Sequence, residues 1–286
     1  MRPSTKRHPE FNIAADFEYP QHLRDTMHEL PAAPGVYVFH GDSETLPLYI
    51  GKSVNIRNRV LSHLRNEEEA RLLRQTRRIS HIRTAGEVGA LLLEASLIKQ
   101  QQPLYNQKLR RTKQLCSWRL SDHGAQIVYS QDVNFAIQKG LYGLFSSKRA
   151  ALETLRVLAD QSRLCYGVIG LEKLIPNKPC FRYMLQQCAG ACCGHEDHAT
   201  HHARLKSSLQ SIQVECWPYP GAIALVERFN DEVQMHVIAQ WCYLGSVHDP
   251  KEAAALVRQA TGFDADGYRI LCRPILGGQA EIIPLW

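Results

Sequence analysis

The apolar positions of this chain change their period several times, and each change predicts an element. Leu30 to Lys52 alternates as a β-hairpin does: Gly35-Val36-Tyr37-Val38-Phe39, a turn through Gly41-Asp42-Ser43, then Leu48-Tyr49-Ile50. Residues 54–65 switch to a helical period, with Ile56, Val60 and Leu64 as one apolar stripe and Asn55, Arg59 and His63 as a polar stripe beside it. A second helix is predicted over about 67–78, because its three glutamates come first and its arginines last, as the helix dipole prefers. Residues 79–83 read as a short strand. Thr84-Ala85-Gly86-Glu87 has the spacing of a capping box, and the helix it opens runs to about Gln102, before Pro103.

Beyond that module the pattern predicts a hairpin over 115–130, turning at Asp122-His123-Gly124, and a helix over 147–160 with Ala150, Leu152, Leu155 and Leu158 apolar. A cysteine-rich loop region covers 165–193, and a polar, His-rich helix covers about 195–213. Strands are predicted at 222–226 and 233–243, turning at Asn230-Asp231-Glu232, then a helix around 251–260 and a strand around 268–274. The expected class is α+β. Five segments follow: a loose arm 1–24, a compact module 25–110, a hairpin and helix connector 111–163, a cysteine-rich region 164–213 and a C-terminal α+β module 214–286.

The chain has 286 residues and a net charge of +6. Its length suits one large domain or a few small ones. Residues 50–114 concentrate the charge, with fourteen Lys or Arg against five acids. A local cationic field of this kind suits a polyanion such as nucleic acid, and Arg57, Arg74, Arg77, Arg78, Lys108, Arg110, Arg111 and Lys113 are its expected contacts. For the run 67–78, a solvated face of Glu/Arg pairs explains the charges equally well. No signal peptide is visible in residues 1–20, and no apolar run reaches membrane-spanning length, so a cytoplasmic monomer is expected. Nine cysteines in that setting suggest free thiols or metal ligands rather than disulfides.

The candidate chemistry lies in the compact module. Tyr37 and Tyr49 sit on neighbouring strands, Lys52 where strand becomes loop, and Arg59 on the helix that follows. Cleaving a phosphodiester needs a base for water, a Lewis acid and positive charge on the phosphate. Either tyrosine could be the base if a neighbouring cation or metal-bound water lowers its effective pKa. A guanidinium fork at Arg59 suits phosphate oxygens. Glu94 falls between Ala90 and Ile98 in an apolar stripe, where a lone carboxylate is costly without a partner. One solution is a divalent cation, since Mg²⁺ accepts a single protein carboxylate with waters and phosphate completing its shell. The other is a glutamate at the edge of the stripe reaching solvent or an arginine.

Gly35-Val36-Tyr37 and Tyr49-Ile50-Gly51-Lys52 resemble the name-giving motif of the GIY-YIG endonuclease family. Residues 49–60, Ala90-Leu91-Leu92-Leu93-Glu94-Ala95 and Gln102-Pro103-Leu104-Tyr105-Asn106 look more narrowly like the nuclease module of the UvrC group, and residues 187–194 like its short homologues. The resemblance covers about residues 30–193. It implies a small GIY-YIG module, an antiparallel three-stranded sheet flanked by helices. Tyr37, Tyr49, Lys52, Arg59 and Asn106 would form the catalytic site, and Glu94 would be the one protein ligand of a Mg²⁺ or Mn²⁺ ion. His63 stands where the group usually has tyrosine, and its titration near neutrality makes a base role chemically accessible. The implied activity is hydrolysis on the 3′ side of a bulky lesion in double-stranded DNA, with UvrB as partner and UvrA upstream. A single incision is expected, because no second nuclease half is present and no UvrB-binding hairpin is visible after residue 195. A non-catalytic DNA-damage adaptor and a GIY-YIG nuclease of restriction or homing type are the competing readings.

Cys165, Cys180, Cys188 and Cys192 follow a C-x14-C-x7-C-x3-C spacing, with Cys193 as an alternate. Clustered thiols suggest a metal. The resemblance implies a [4Fe-4S] cluster, while zinc and packed free thiols remain open. Cys116, Cys216, Cys242 and Cys272 are expected in the core. His195, His198, His201 and His202 suit a solvated helix face better than a second metal site.

Overall fold

The computed structural model describes residues 20–24, 26–107, 109, 114–121, 124–175, 178–257 and 263–286. The chain divides into two compact units, 1–110 and 111–286.

In the first unit, β1 (Gly35–His40), β2 (Pro47–Ser53) and β3 (Arg78–Arg83) form an antiparallel sheet in the order β2-β1-β3. Alternation divides its side chains between two cores. Tyr37, Phe39 and Leu48 pack with Ile56, Val60 and Leu64 of α2 (Ile56–Leu64), and with Leu72 and Leu73 of α3 (Ala70–Gln75). On the opposite face, Val36, Val38 and Ile50 pack with Leu93, Leu97 and Ile98 of α4 (Glu87–Gln101). Asn55 caps α2 by accepting from the Asn58 amide at 3.0 Å.

Several expectations are corrected here. Residues 20–24 are no loose arm: Leu23 is fully buried with Met27 and Leu30, beside the short α1 (Thr26–Glu29). The predicted helix 67–78 is a 3-10 turn (Glu67–Glu69) followed by α3, and it ends at Gln75. Its last residues leave the helix because the Arg77 amide bonds the His40 carbonyl and Arg78 pairs with His40 across the sheet. The capping box does not form. Gly86 is the N-cap with no side-chain bond, Thr84 Oγ1 donates to the Gly86 carbonyl, and Glu87 turns to Lys52 instead.

In the second unit, β4 (Cys116–Ser121), β5 (Gly124–Tyr129) and β6 (Leu141–Phe145) form a sheet in the order β5-β4-β6. It packs with α5 (Lys148–Gln161) and α7 (His198–Leu209), while α6 (Phe181–Met184) lies in the cysteine-rich segment. A four-stranded sheet, β10-β7-β8-β9, combines β7 (Ile223–Phe229), β8 (Glu232–Ala239), β9 (Cys242–Val247) and β10 (Glu281–Pro284) with α8 (Pro250–Leu256) and α9 (Ala265–Leu276).

Two predictions fail in this last sheet. The strand expected over 233–243 is two strands, because Gln240 (φ 50°) and Trp241 (φ 67°) make a two-residue turn. Neither is a usual turn former. Burying Trp241 against Trp217 and Tyr268 holds the turn in place. The strand expected over 268–274 is α9. Asp264 caps it, Gly267, Leu271 and Ile275 recur every four residues on its buried side, and Pro274 sits inside it. Gly267 is required there, since a Cβ would lie 2.2 Å from the Trp241 carbonyl oxygen. The short strands β6 and β10 carry too little pattern to be read from sequence.

Candidate active site

The site forms along the free edge of β2. In an edge strand, residues two apart turn their main-chain groups the same way, and here Ile50 and Lys52 turn theirs outward. Asn106 takes both groups of Ile50: its Oδ1 accepts from the amide at 2.9 Å and its Nδ2 donates to the carbonyl at 2.8 Å. The Leu104 and Tyr105 amides bond the Pro47 and Leu48 carbonyls, so the chain after α4 runs beside the strand. Glu94 reaches the same edge, its Oε1 accepting from the Lys52 amide at 3.0 Å. Its other oxygen makes no hydrogen bond among the described residues.

On the α2 face the aromatic groups converge. Tyr37 pairs with Gly51 and Phe39 with Tyr49 across the hairpin, so the two tyrosine rings lie diagonally, centroids 6.2 Å apart. Gly51 is obligatory, because a Cβ would sit 2.3 Å from the Tyr37 hydroxyl oxygen. Gly35 is equally constrained: at φ 155° a Cβ would lie 2.2 Å from the Ile82 carbonyl oxygen. His63 is buried at the centre of this cluster. Its Nε2 is 2.7 Å from the Tyr37 hydroxyl, and its Nδ1 bonds the Glu69 carboxylate.

Burial dominates the electrostatics. It pushes Tyr37 far above the usual phenol range, with help from Tyr49 and Glu94 and against Arg59. Tyr49 is raised by burial and by the Glu94 carboxylate, while Tyr37 and Arg59 pull it down. Arg59 does lower both phenols, as expected of a neighbouring cation, but burial outweighs it. Burial raises Glu94, opposed by the Lys52 amide and charge. Burial lowers His63, and Glu69 partly restores it. The Glu94 carboxylate raises both phenols and the Arg59 guanidinium lowers both.

The cations vary in their engagement. Lys52 Nζ pairs with Glu87 at 2.6 Å. Arg59 is exposed beside the tyrosines. Arg57 is exposed, yet its Nε donates to the Leu30 carbonyl at 2.7 Å, so it also ties α2 to the preceding loop. Arg77 pairs with Asp42 at 2.9 Å, and Arg74 and Arg78 are exposed. Lys108, Arg110, Arg111 and Lys113 lie outside the described residues.

In the second unit, the sulfurs of Cys165, Cys180, Cys188 and Cys192 all lie within 4.8 Å of one another. Cys193, the alternate, is outside that group, with its Sγ 3.3 Å from His195 Nδ1. Cys116 is buried as expected, whereas Cys216, Cys242 and Cys272 are only half-buried. His201 is buried, not solvated, and its Nε2 accepts from the Cys165 amide at 3.0 Å. Glu69, Glu87 and His201 are the site partners that sequence reading missed. Each lies on a helix face or turn whose pattern gives no sign of its distant partner.

Comparison with known proteins agrees along the whole chain. The UvrC-like GIY-YIG domain family matches residues 33–107, the UvrC/Cho excinuclease middle domain family 115–211, and the excinuclease Cho C-terminal domain family 222–286. Excinuclease cho of Escherichia coli (strain K12) is 54% identical over 285 residues, covering 100% of this chain and 97% of that protein. Excinuclease cho of Salmonella typhimurium (strain LT2) is 56% identical over 276 residues, or 96% and 94% of the two chains. UvrABC system protein C of Thermotoga petrophila is 31% identical over 193 residues, 66% of this chain and 34% of that protein. The crystal structure of the GIY-YIG N-terminal endonuclease domain of UvrC from Thermotoga maritima, bound to magnesium, is 35% identical, covers 29% of this chain and 94% of that one, and gives a TM-score of 0.27. With its full length matched by relatives of one kind, the chain belongs to the Cho excinuclease family, DNA endonucleases of nucleotide excision repair with a GIY-YIG domain.

Proposed function

We propose that this endonuclease makes one incision on the 3′ side of a bulky lesion in double-stranded DNA, after UvrA and UvrB have located the damage, using a single Mg²⁺ or Mn²⁺ ion at Glu94. The observation that carries the metal assignment is the state of that carboxylate. It is half-buried on an apolar helix, one oxygen is fixed by the Lys52 amide, and the other has no hydrogen bond among the described residues. A hard oxygen donor of this kind fits a hydrated divalent cation. When bound, the ion would supply positive charge on the scissile phosphate and acidify a water.

The chain's own groups account for the rest. Arg59 offers its donor fork to the phosphate oxygens. Lys52 is held by Glu87 in an exposed pair worth at most about 1 kcal/mol, so a phosphate can replace the glutamate. Tyr37 or Tyr49 takes the proton of the attacking water. Asn106 holds the strand edge that carries Tyr49 and Lys52. The exposed Arg57, Arg74 and Arg78 would contact the DNA backbone.

The four-cysteine group is proposed to hold a [4Fe-4S] cluster, with zinc as the alternative. Four convergent thiols fit either, and metal and sulfide analysis of anaerobically purified protein separates them.

The deciding experiment is incision of a lesion-bearing duplex with and without UvrA and UvrB, mapping the cut on each strand. A single 3′ cut that requires both proteins and stops in chelator is expected. A 5′ cut, cuts on both strands, or turnover in chelator would reject the assignment.

A further inference from the structure

Glu69 lies in the 3-10 turn before α3, outside every motif that the sequence singles out. Its carboxylate meets Nδ1 of the buried His63, and its other oxygen receives the Asn66 side-chain amide at 3.3 Å. A carboxylate only accepts hydrogen bonds, so the proton of a neutral imidazole must sit on Nδ1. Nε2 is then an acceptor, and the Tyr37 hydroxyl at 2.7 Å must donate to it.

We propose that Glu69 is a positioning residue of the nuclease: by holding the His63 proton on Nδ1, it leaves Nε2 to receive the hydroxyl proton of Tyr37 during water attack. The inference rests on the hydrolytic reading of the site given above. In balance, the attacking water gives one proton to the Tyr37 oxygen while the phenolic proton passes to His63 Nε2. The hydroxide oxygen bonds to phosphorus, the P–O bond to the leaving oxygen breaks with its electron pair on that oxygen, and a solvent proton neutralises it. The residues are left as a neutral phenol and an imidazolium facing a carboxylate. A free phenolate is never formed, which suits a phenol as deeply buried as this one. The groups around His63 are Tyr37 from β1, Tyr49 from β2, Arg59 from its own helix and Glu69; Arg59 is a cation that opposes the imidazolium, and Glu69 is the only carboxylate in contact with it among the described residues.

The first test uses metal-free protein without DNA. Nitrogen-15 NMR of His63 is expected to show the Nδ1–H tautomer in the wild type and a mixture in Glu69→Ala. The second is kinetic. Glu69→Ala is expected to lower kcat at least about 10- to 100-fold at unchanged KM, the loss that follows removal of a carboxylate orienting a metal-bound histidine. Glu69→Gln, whose amide oxygen still accepts from Nδ1, should lose less, and the acid limb of its rate profile should move to lower pH. In a His63→Gln background, Glu69→Ala should cost nothing further. An Nε2–H tautomer in the wild type, or an equal loss in both backgrounds, overturns the proposal. Incision that survives Glu94→Gln would instead reject the metal reading, and it leaves the NMR result untouched.

Discussion

Replacing Glu94 by Gln tests the centre of the mechanism, because it changes one property. The amide oxygen can still accept from the Lys52 amide, so the α4 contact with the strand edge survives. The negative charge is lost. Burial raises the Glu94 pKa, so the ionised side chain opposes folding without metal. The sign follows: a raised carboxyl pKa contributes stability that is present below the ordinary Glu value and lost as pH rises through the folded one. At neutral pH the metal-free variant should therefore melt at the same temperature as the wild type or higher.

Divalent cation reverses that order. At a hundred times its dissociation constant, an ion bound only by folded protein adds about 2.7 kcal/mol. Glu94 lies in the unit spanning residues 1–110, where each kcal/mol moves Tm by roughly 4–8 °C, so the shift is about 10–20 °C. Wild type should gain this shift with Mn²⁺ or Mg²⁺, and Glu94→Gln should not. In incision assays the variant loses the charge stabilisation of the transition state, several kcal/mol, hence about 10³-fold or more in kcat. Binding to lesion-bearing DNA, carried by the arginines, should change little. A metal-induced Tm shift of wild-type size in Glu94→Gln, or incision within tenfold of wild type, refutes the reasoning.

Gly51→Ala places a Cβ 2.3 Å from the Tyr37 hydroxyl oxygen and must displace the phenol; a loss of about 100-fold in kcat is expected with little change in DNA affinity, measured by single-turnover incision and a binding titration. Asn106→Ala strips both main-chain partners from Ile50, and urea denaturation should show about 1–3 kcal/mol of lost stability. Burial lowers the His63 pKa, so the unfolded state binds its proton first, and stability falls as pH drops from about 6.5 toward the folded value. His63→Gln should flatten that part of the Tm-against-pH curve, and a curve parallel to wild type would contradict the assignment.

Local rules carried much of the first unit. The alternation of Val36, Tyr37, Val38 and Phe39 gave the central strand, and the four-residue spacing of Ile56, Val60 and Leu64 gave α2. The two glycines of the motif were legible as residues, but their cause was not. It is the Ile82 carbonyl and the Tyr37 ring, each brought close by another strand. In the last sheet, burial of Trp241 outweighed weak turn propensity, and the packing of Gly267 against that turn outweighed the strand-like composition of 268–274.

The order of residue types along the chain determined that two phenols, a guanidinium, an amide and one embedded carboxylate belong to a single module. Sequence could do this because strand and helix periods act over a few residues. It could not determine which proton each group holds or which partner each charge meets. Lys52 finds Glu87 thirty-five positions away, and Cys165 finds His201 thirty-six away. The partner of His63 is only six residues distant, yet the turn at Asn66 has to form before Glu69 can face it. Tautomers, burial and pKa depend on what surrounds an atom in three dimensions, and only the packed chain fixes those surroundings.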